Sequence, residues 1–155
     1  MGSPTIRRAT ADDAPELARL RWQFRSEYGP VTVHRDDFRR RFEAFVAEAL
    51  AGGRWAMFAA EAEGRLVGTA FVQVVPKVPA PTDEGTTIAY LTNVFVEPGL
   101  RDTGLGTRLM EAALEWARGR DPDSVIVWPS ERSVPFYRRA GFLPATEMME
   151  LRPSR

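Results

Sequence analysis

The residues best suited to chemistry lie in a glycine-containing loop between a predicted strand and a predicted helix, within the segment from Leu91 to Trp116. The first NH groups of a helix have no partner inside the helix and lie at the positive end of its dipole, so such a junction can bind a phosphate. Gly104 and Gly106 let ligand oxygens approach the main chain, and Arg101 and Thr103 add side-chain donors. The spacing predicts a local phosphate site, although short glycine loops before helices also occur without any ligand.

Several familiar active-site types are excluded by the residues present. No Gly-Lys-Ser/Thr ends the loop, and Leu109 stands where a dinucleotide-binding loop has its third glycine or alanine. The chain has no cysteine and one histidine, His34, so we expect no metal site and no cysteine nucleophile. No Gly-x-Ser-x-Gly sequence marks a serine hydrolase. His34 precedes a predicted helix and is expected to cap it or face solvent.

Composition limits the class of protein and its partners. The chain has 155 residues, 44% of them hydrophobic, which suits one globular domain with its own core. Its 21 basic and 21 acidic residues cancel, so the basic character of a nucleic-acid-binding protein is missing. There is no apolar run of about 18 residues and no apolar N-terminal segment. We therefore expect a cytoplasmic protein whose partners include neither nucleic acid nor membrane.

A mixture of helices and strands must position the loop. Apolar residues recur every three or four positions from Leu17 to Tyr28, from Phe38 to Leu50 and from Leu105 to Trp116, which predicts three amphipathic helices. A short fourth helix carries Phe136 and Tyr137. Strands are predicted at 5–9, 55–61, 66–75, 86–96, 124–128 and 145–151. The order β-α-α-β-β-β-α-β-α-β predicts a single α/β (α+β) domain with a mixed sheet.

Three parts of the sequence together resemble one family. One part is the run Val96-x-Pro98-x-x-Arg101-x-x-Gly104-x-Gly106 followed by Leu109. It resembles the acyl-CoA-binding motif of the GNAT superfamily of N-acetyltransferases. The family's central hairpin is similar to FAAEAEGRLVGTAFVQV, and its later strand-helix segment is similar to WPSERSVPFYRRAGF. The resemblance implies one domain over residues 4–152. It also implies a central sheet of about six strands with flanking helices, in which strands 4 and 5 splay apart to admit acetyl-CoA.

The resemblance also implies which residues hold acetyl-CoA. Main-chain groups of Val94, Phe95 and Val96 would pair with the pantetheine arm as an added strand, and an amide there would polarise the thioester carbonyl. Ser130 and Ser133 occupy the family's Asn and Ala positions, so a hydroxyl would replace an amide contact to pantetheine. The pyrophosphate would lie on the loop formed by Arg101, Asp102, Thr103, Gly104, Leu105, Gly106 and Thr107.

Two tyrosines are the candidate catalytic residues. Tyr137 matches the family tyrosine near the thioester sulfur, which implies that it donates a proton to the leaving CoA thiolate. The alternative is that Phe136 and Tyr137 only pack in the core. Tyr90 stands where some family members have a glutamate that serves as general base, and the strand from Thr86 to Val96 contains no acid.

The route by which the acceptor amine loses its proton stays open. Water held by Tyr90, Thr92 or Asn93 could accept the proton. A carboxylate outside the strand could also do so, and the candidates are Asp83, Glu84 and Glu27.

Two functions are compatible with these residues. The first is an N-acetyltransferase that moves an acetyl group from acetyl-CoA to a primary amine of a small molecule or peptide by direct attack in a ternary complex, since no cysteine can carry the acyl group. The second is a non-catalytic acyl-CoA-binding regulatory module. Trp22, Phe24, Tyr28 and the loop from Pro76 to Gly85 are candidates for the acceptor pocket. The sequence identifies neither the acceptor nor the oligomeric state, and a homodimer is one of the assemblies compatible with it.

Overall fold

The computed structural model describes residues 2–154, which form five strands and four helices. The strands are β1 (Thr5–Arg8), β2 (Trp55–Ala62), β3 (Arg65–Pro76), β4 (Thr87–Val96) and β5 (Pro122–Ile126). The helices are α1 (Ala14–Ser26), α2 (Arg35–Gly52), α3 (Leu105–Arg118) and α4 (Val134–Arg139). Single 3-10 turns lie at Ala11–Asp13, Pro98–Leu100 and Glu131–Ser133.

The strands form one mixed sheet in the order β1-β2-β3-β4-β5. Strands β1, β2, β3 and β4 are paired in antiparallel fashion in that order. Strand β5 runs parallel to β4, after the crossover through α3. A parallel pair needs such a crossover, because a tight turn can join only antiparallel strands. The mixed sheet with flanking helices confirms the predicted fold class.

Strands β4 and β5 part halfway along β4. Their pairing runs from Thr87 opposite Pro122 to Tyr90 opposite Ile126 and then ends. The second half of β4, from Leu91 to Val96, therefore pairs only with β3. The expected splay of strands 4 and 5 is present, and it leaves main-chain groups of β4 without a strand partner on one side.

A bulge in β4 lies at the point of parting. Phe71 of β3 faces Thr92, whereas Thr69 faces Phe95, so β4 has one extra residue here. Asn93 lies at the bulge and has a left-handed φ of 53°, a conformation that Asn tolerates better than most residues. The Thr69 hydroxyl donates to the Asn93 carbonyl at 3.1 Å. The bulge is thus fixed by buried polar contacts and lies just beyond the last residue of β4 that pairs with β5.

The core lies on both faces of the sheet. Successive residues of β2 point to opposite faces, so Ala56 and Phe58 pack with the side of α3 while Met57 packs with that of α1 and α2. Buried residues of α3 are Leu105, Leu109, Met110, Ala113 and Ala117, and those of α1 and α2 are Ala14, Leu17, Ala18, Leu20, Val46 and Ala49. The two layers hold α1 and α3 in fixed positions relative to β4.

Gly68 allows α3 to approach the sheet closely. A Cβ at this position would lie 3.0 Å from Leu109 Cδ1 and 3.1 Å from the Phe95 carbonyl oxygen. Both contacts are closer than ordinary van der Waals distance, so a larger residue in β3 would push α3 outwards. Since the loop before α3 is the predicted phosphate site, Gly68 helps to position that loop.

The predicted sixth strand, from Ala145 to Leu151, is wrong. The structure has no strand in this segment, all of its residues are exposed, and Met149 is 96% exposed. The segment pairs with none of the five strands, so its main chain has no neighbour with which to form a sheet. Strand β5 also begins two residues earlier than predicted, because its pairing with β4 begins at Pro122.

Candidate functional site

The parting of β4 and β5 opens a cleft of about 640 Å³ between the second half of β4, the loop before α3 and α4. We call it the first cleft. It contains most of the predicted cofactor-binding residues, and those that line it are Val94, Phe95, Val96, Arg101, Asp102, Gly104, Gly106, Thr107 and Ser133. Distant parts of the sequence therefore meet at one surface.

The loop before α3 presents main-chain donors to the first cleft. Gly104 is the N-cap of α3 with a left-handed φ of 84°, a conformation natural to glycine, and no side chain caps the helix. The first turn of α3 contains no acid. The helix N-terminus thus keeps both its NH groups and its positive dipole end available to an anion.

Three predicted loop residues have their side chains engaged elsewhere. Arg101 donates through Nε to the Val96 carbonyl at 2.9 Å and through Nη2 to both carboxylate oxygens of Glu27 at 2.8 and 2.9 Å. The Thr103 hydroxyl donates to the Leu100 carbonyl at 2.6 Å, and the Leu105 side chain is buried beneath α3. In this arrangement the Arg101 guanidinium braces the end of β4 against Glu27, just after α1, while the residue still lines the first cleft.

Sequence reasoning missed several residues that line the first cleft. Arg132, just before α4, and Arg139, the last residue of α4, add positive charge, while Pro135 and Phe136 supply an apolar wall. The clustering of arginines around α4 was a signal that could have pointed to the first two. Arg132 donates to Glu27 at 3.2 Å, so Glu27 joins the β4 and α4 sides of the cleft.

A second cleft of about 380 Å³ lies on the other side of the point where the strands part. It is lined by residues from α1, from β4 and from the segment after β5, among them Arg21, Phe24, Arg25, Tyr90, Thr92, Asn93, Trp128 and Ser130. The two clefts share four lining residues, which are Tyr28, Val94, Ser133 and Tyr137. The shared residues mark where two ligands could meet.

Tyr137 packs in the core and also borders both clefts. Its ring packs in the core at 5.0 Å from the Phe136 ring and 5.5 Å from the Phe142 ring, and only 7% of the residue is exposed. It nevertheless lines both clefts. Burial, with smaller contributions from Tyr28 and Tyr90, raises the pKa of Tyr137 to about 12. Its hydroxyl therefore stays protonated at neutral pH and can donate.

The predicted serines form a small hydroxyl cluster beside Tyr137. Ser130 Oγ donates to Ser133 Oγ at 3.0 Å, and Ser133 Oγ donates to the Ser130 carbonyl at 2.9 Å. The Tyr28 hydroxyl lies 3.1 Å from Ser130 Oγ. Ser133 lines both clefts, whereas Ser130 lines only the second.

No acidic residue is present among the described residues that line the second cleft. Tyr90 lines it and packs edge-on against Trp128, with ring centroids 5.0 Å apart. The candidate bases outside β4 lie elsewhere: Glu27 is held by Arg101 and Arg132, and Glu84 pairs with Lys77 at 3.3 Å. Neither Asp83 nor Glu84 lines either cleft.

The candidate acceptor residues are only partly brought together. Phe24 and Tyr28 line the second cleft. Trp22 instead packs against Phe38 of α2 with ring centroids 5.5 Å apart, and the loop from Pro76 to Gly85 lines neither cleft. His34 caps α2 by accepting from the Asp36 amide at 3.3 Å, as one of its two expected roles required.

Neither a metal-binding cluster nor a membrane-spanning helix is found in the described part of the chain. Within residues 2–154 no group of three or more His, Cys, Asp or Glu side chains could hold a metal ion. None of the helices in the same range is long and apolar enough to cross a bilayer.

Comparison with known proteins places these clefts in context. Residues 15–142 match the model of the family described as "Acetyltransferase (GNAT) family". A glucosamine 6-phosphate N-acetyltransferase of Trypanosoma brucei brucei is 34% identical over 95 residues, which are 61% of this chain and 63% of that protein. The match thus spans less than two thirds of that relative.

Solved structures share the fold over nearly the whole chain. A "predicted acetyltransferase with acetyl-CoA" from Clostridium acetobutylicum superposes with a TM-score of 0.83 at 22% identity and covers 96% of both chains. A GCN5-related N-acetyltransferase from Ralstonia eutropha JMP134 has a TM-score of 0.79 at 24% identity, covering 96% of this chain and 97% of that one.

Proposed function

Because the chain belongs to the GNAT acetyltransferase family, we propose that residues 4–152 form one domain that transfers the acetyl group of acetyl-CoA to a primary amine of a small molecule or peptide. The observation that carries the proposal is the meeting of two clefts at Val94 and Tyr137, where β4 and β5 part. A transferase of this kind needs one site for each substrate and a point where the reacting atoms touch. The Trypanosoma relative, named for acetyl transfer to an amino sugar phosphate, supports an amine acceptor.

In this proposal the first cleft binds acetyl-CoA. The half of β4 from Leu91 to Val96, which lacks a partner on the β5 side, offers main-chain groups to the pantetheine arm. The uncapped N-terminus of α3 offers amides to the pyrophosphate, with Arg132 and Arg139 nearby. An amide of β4 that donates to the thioester carbonyl would lower the barrier by about 2.7 to 4 kcal/mol, as one oxyanion-hole donor does.

The second cleft holds the amine, which attacks the carbonyl carbon directly. A C–N bond forms, the C–S bond breaks, and the thiolate receives a proton from the Tyr137 hydroxyl, which regains one from water. This hydroxyl is protonated at neutral pH because burial raises its pKa to about 12. With no acid in the lining of the cleft, the amine reacts in its neutral form and releases its proton to water near Tyr90 and Thr92.

The missing carboxylate also favours a second candidate, a non-catalytic acyl-CoA-binding module. Release of free CoA thiol from acetyl-CoA separates the two functions. The assay uses a panel of amino acids, amino sugars, polyamines, aminoglycosides, xenobiotic amines and peptide N-termini. An acetyltransferase releases thiol with at least one class of amine. If CoA raises the melting temperature and no amine in the panel supports release, the binding module is the better description.

A further inference from the structure

The charge of the second cleft bears on the kind of amine that it accepts. Four arginines are half-buried within residues 2–154, namely Arg7, Arg19, Arg21 and Arg101. Three of them contact carboxylates: Arg7 contacts Asp13, Arg19 contacts Glu16 and Glu97, and Arg101 contacts Glu27. Arg21 contacts no carboxylate of the described residues, and it is the one of the four that lines the second cleft.

The surroundings of Arg21 leave most of its donors unused. Its only hydrogen bond to a described residue runs from Nη1 to Asn93 Oδ1 at a long 3.3 Å, although a guanidinium has five NH groups. Its carbon Cζ lies 5.5 Å from the centroid of the Phe24 ring. Burial lowers the pKa of Arg21, and the nearby charge of Arg25 lowers it further. A half-buried cation in this state is costly unless something supplies the opposite charge.

Arg25 strengthens the same field. It follows Arg21 by one turn of α1, lines the second cleft and lies 6.0 Å from the centroid of the Tyr28 ring. Two arginines and no acid give this cleft a positive potential. A polyamine would be repelled there, whereas a carboxylate or phosphate would be attracted, because a guanidinium matches both anions with paired hydrogen bonds.

We propose that Arg21, assisted by Arg25, binds an anionic group of the acceptor, so that the substrate is a primary amine that also carries a carboxylate or a phosphate. This inference rests on the proposed function and narrows its acceptor class. The anion would lie against α1 and the amine would extend towards Val94 and Tyr137, where the two clefts meet. Arg21 would then be a specificity-determining residue that leaves the acetyl-transfer step to other groups.

Matched pairs of amines test the inference, because each pair differs only in its anion. Phosphoethanolamine against ethanolamine and glucosamine 6-phosphate against glucosamine report a phosphate, and tyrosine against tyramine reports a carboxylate. Thiol release is measured for each amine with wild-type protein and with Arg21→Gln. We expect the anionic member of at least one pair to have a KM at least about tenfold lower, the range of a charge-assisted hydrogen bond. The pairs that show this preference identify the anion.

The variant ties the preference to Arg21. Arg21→Gln should raise KM for the anionic member by about ten- to a hundredfold and change KM for the neutral member little. If the role of Arg21 were merely structural, the variant would impair turnover of both members equally. Arg21→Lys should restore part of the preference. Arg41→Gln removes the same charge from an exposed position on α2 that lines neither cleft, and should preserve it. If Arg21→Gln fails to fold, Arg25→Gln should reduce the preference by about threefold.

The failures are distinguishable. Equal or better turnover of the neutral members by wild-type protein overturns the inference and leaves the proposed acetyl transfer intact. A preference that Arg21→Gln does not reduce, in a variant that still folds and is stabilised by CoA, also overturns it. The absence of thiol release with every amine, while CoA still raises the melting temperature, overturns the proposed function and this inference together.

Discussion

The first and second clefts share Val94 and Tyr137, yet they are built from different parts of the chain. The first cleft takes most of its wall from one continuous stretch, from Val94 to Thr107, and its donors belong largely to the main chain. The second cleft takes its wall from side chains of α1, β4 and the segment after β5. A main-chain site tolerates many sequences, whereas a side-chain site changes with each substitution.

The clefts also differ in how their arginines are balanced. Around the first cleft, Glu27 accepts from both Arg101 and Arg132, which leaves Arg139 as the lining arginine without a carboxylate partner among the described residues. In the second, Arg21 and Arg25 have no carboxylate partner among the described residues. Under the proposed function, the first cleft would bind acetyl-CoA chiefly through helix α3 and strand β4, and the second cleft would select the acceptor by charge.

The largest effect is expected from Gly104→Asp, which attacks the main-chain site directly. Asp would add a negative charge at the N-terminus of α3 and strain a backbone with φ of 84°. In wild-type protein, CoA at a hundredfold excess over its dissociation constant should stabilise the fold by about 2.7 kcal/mol. We expect the variant to lose this stabilisation, measured as the shift in melting temperature at millimolar CoA.

Two glycine variants control for this result. Gly99→Asp adds the same charge in the preceding turn, where a Cβ would contact nothing within 4 Å, and should keep the CoA shift. Gly104→Ala adds strain without charge and should bind CoA more weakly than wild type but better than the aspartate variant. An unchanged melting temperature of the wild-type protein in millimolar CoA would contradict the assignment of the first cleft.

Tyr137→Phe should give the next largest effect, at the boundary between the clefts. It removes one hydroxyl and keeps the packing against Phe136 and Phe142. If the hydroxyl protonates the leaving thiolate, kcat falls by about ten- to a thousandfold, and the stabilisation by CoA is retained. Tyr90→Phe deletes the corresponding hydroxyl in the second cleft and should lower kcat by less than about fivefold. Wild-type turnover by Tyr137→Phe would make Tyr137 a packing residue only.

What the sequence could predict follows the same division between the clefts. The glycine loop between β4 and α3 was predictable because its glycines, its helix and its preceding strand are neighbours in the chain. The pairing of Arg101 with Glu27 was not, because 74 residues separate them and neither carries a local sign of the other. Arg21 stands out only once the fold shows which arginines have carboxylate partners. The predicted strand over 145–151 was wrong because a strand needs a neighbour to pair with, and the sequence pattern does not show that this segment has none in the sheet.

The pH dependence of turnover tests whether the second cleft lacks a base, as its positive charge and missing acid indicate. With no acid in its lining, the rate should rise with pH towards the pKa of each acceptor, by up to about tenfold per pH unit. A weakly basic amine should therefore rise at lower pH than a strongly basic one. Tyr137 acts in its protonated form, and since burial raises its pKa to about 12, its ionisation should cause no fall of rate below pH of about 10. A rise at one pH for all acceptors would instead reveal an enzyme base.

The smallest effect is expected from Glu27→Gln, which removes the carboxylate that Arg101 and Arg132 hold beside the first cleft. Because Arg101 and Arg132 both donate hydrogen bonds to the Glu27 carboxylate, we expect Glu27 to stay out of the proton transfer, and kcat at saturating substrates should change by less than about threefold. Loss of the two ion pairs should lower the free energy of unfolding by about 1 kcal/mol at most, since Arg132 is largely exposed. The double variant Asp83→Asn with Glu84→Gln serves as control, because neither acid lines a cleft. A hundredfold fall of kcat in Glu27→Gln but not in the double variant, with the stabilisation by CoA preserved, would identify Glu27 as the general base.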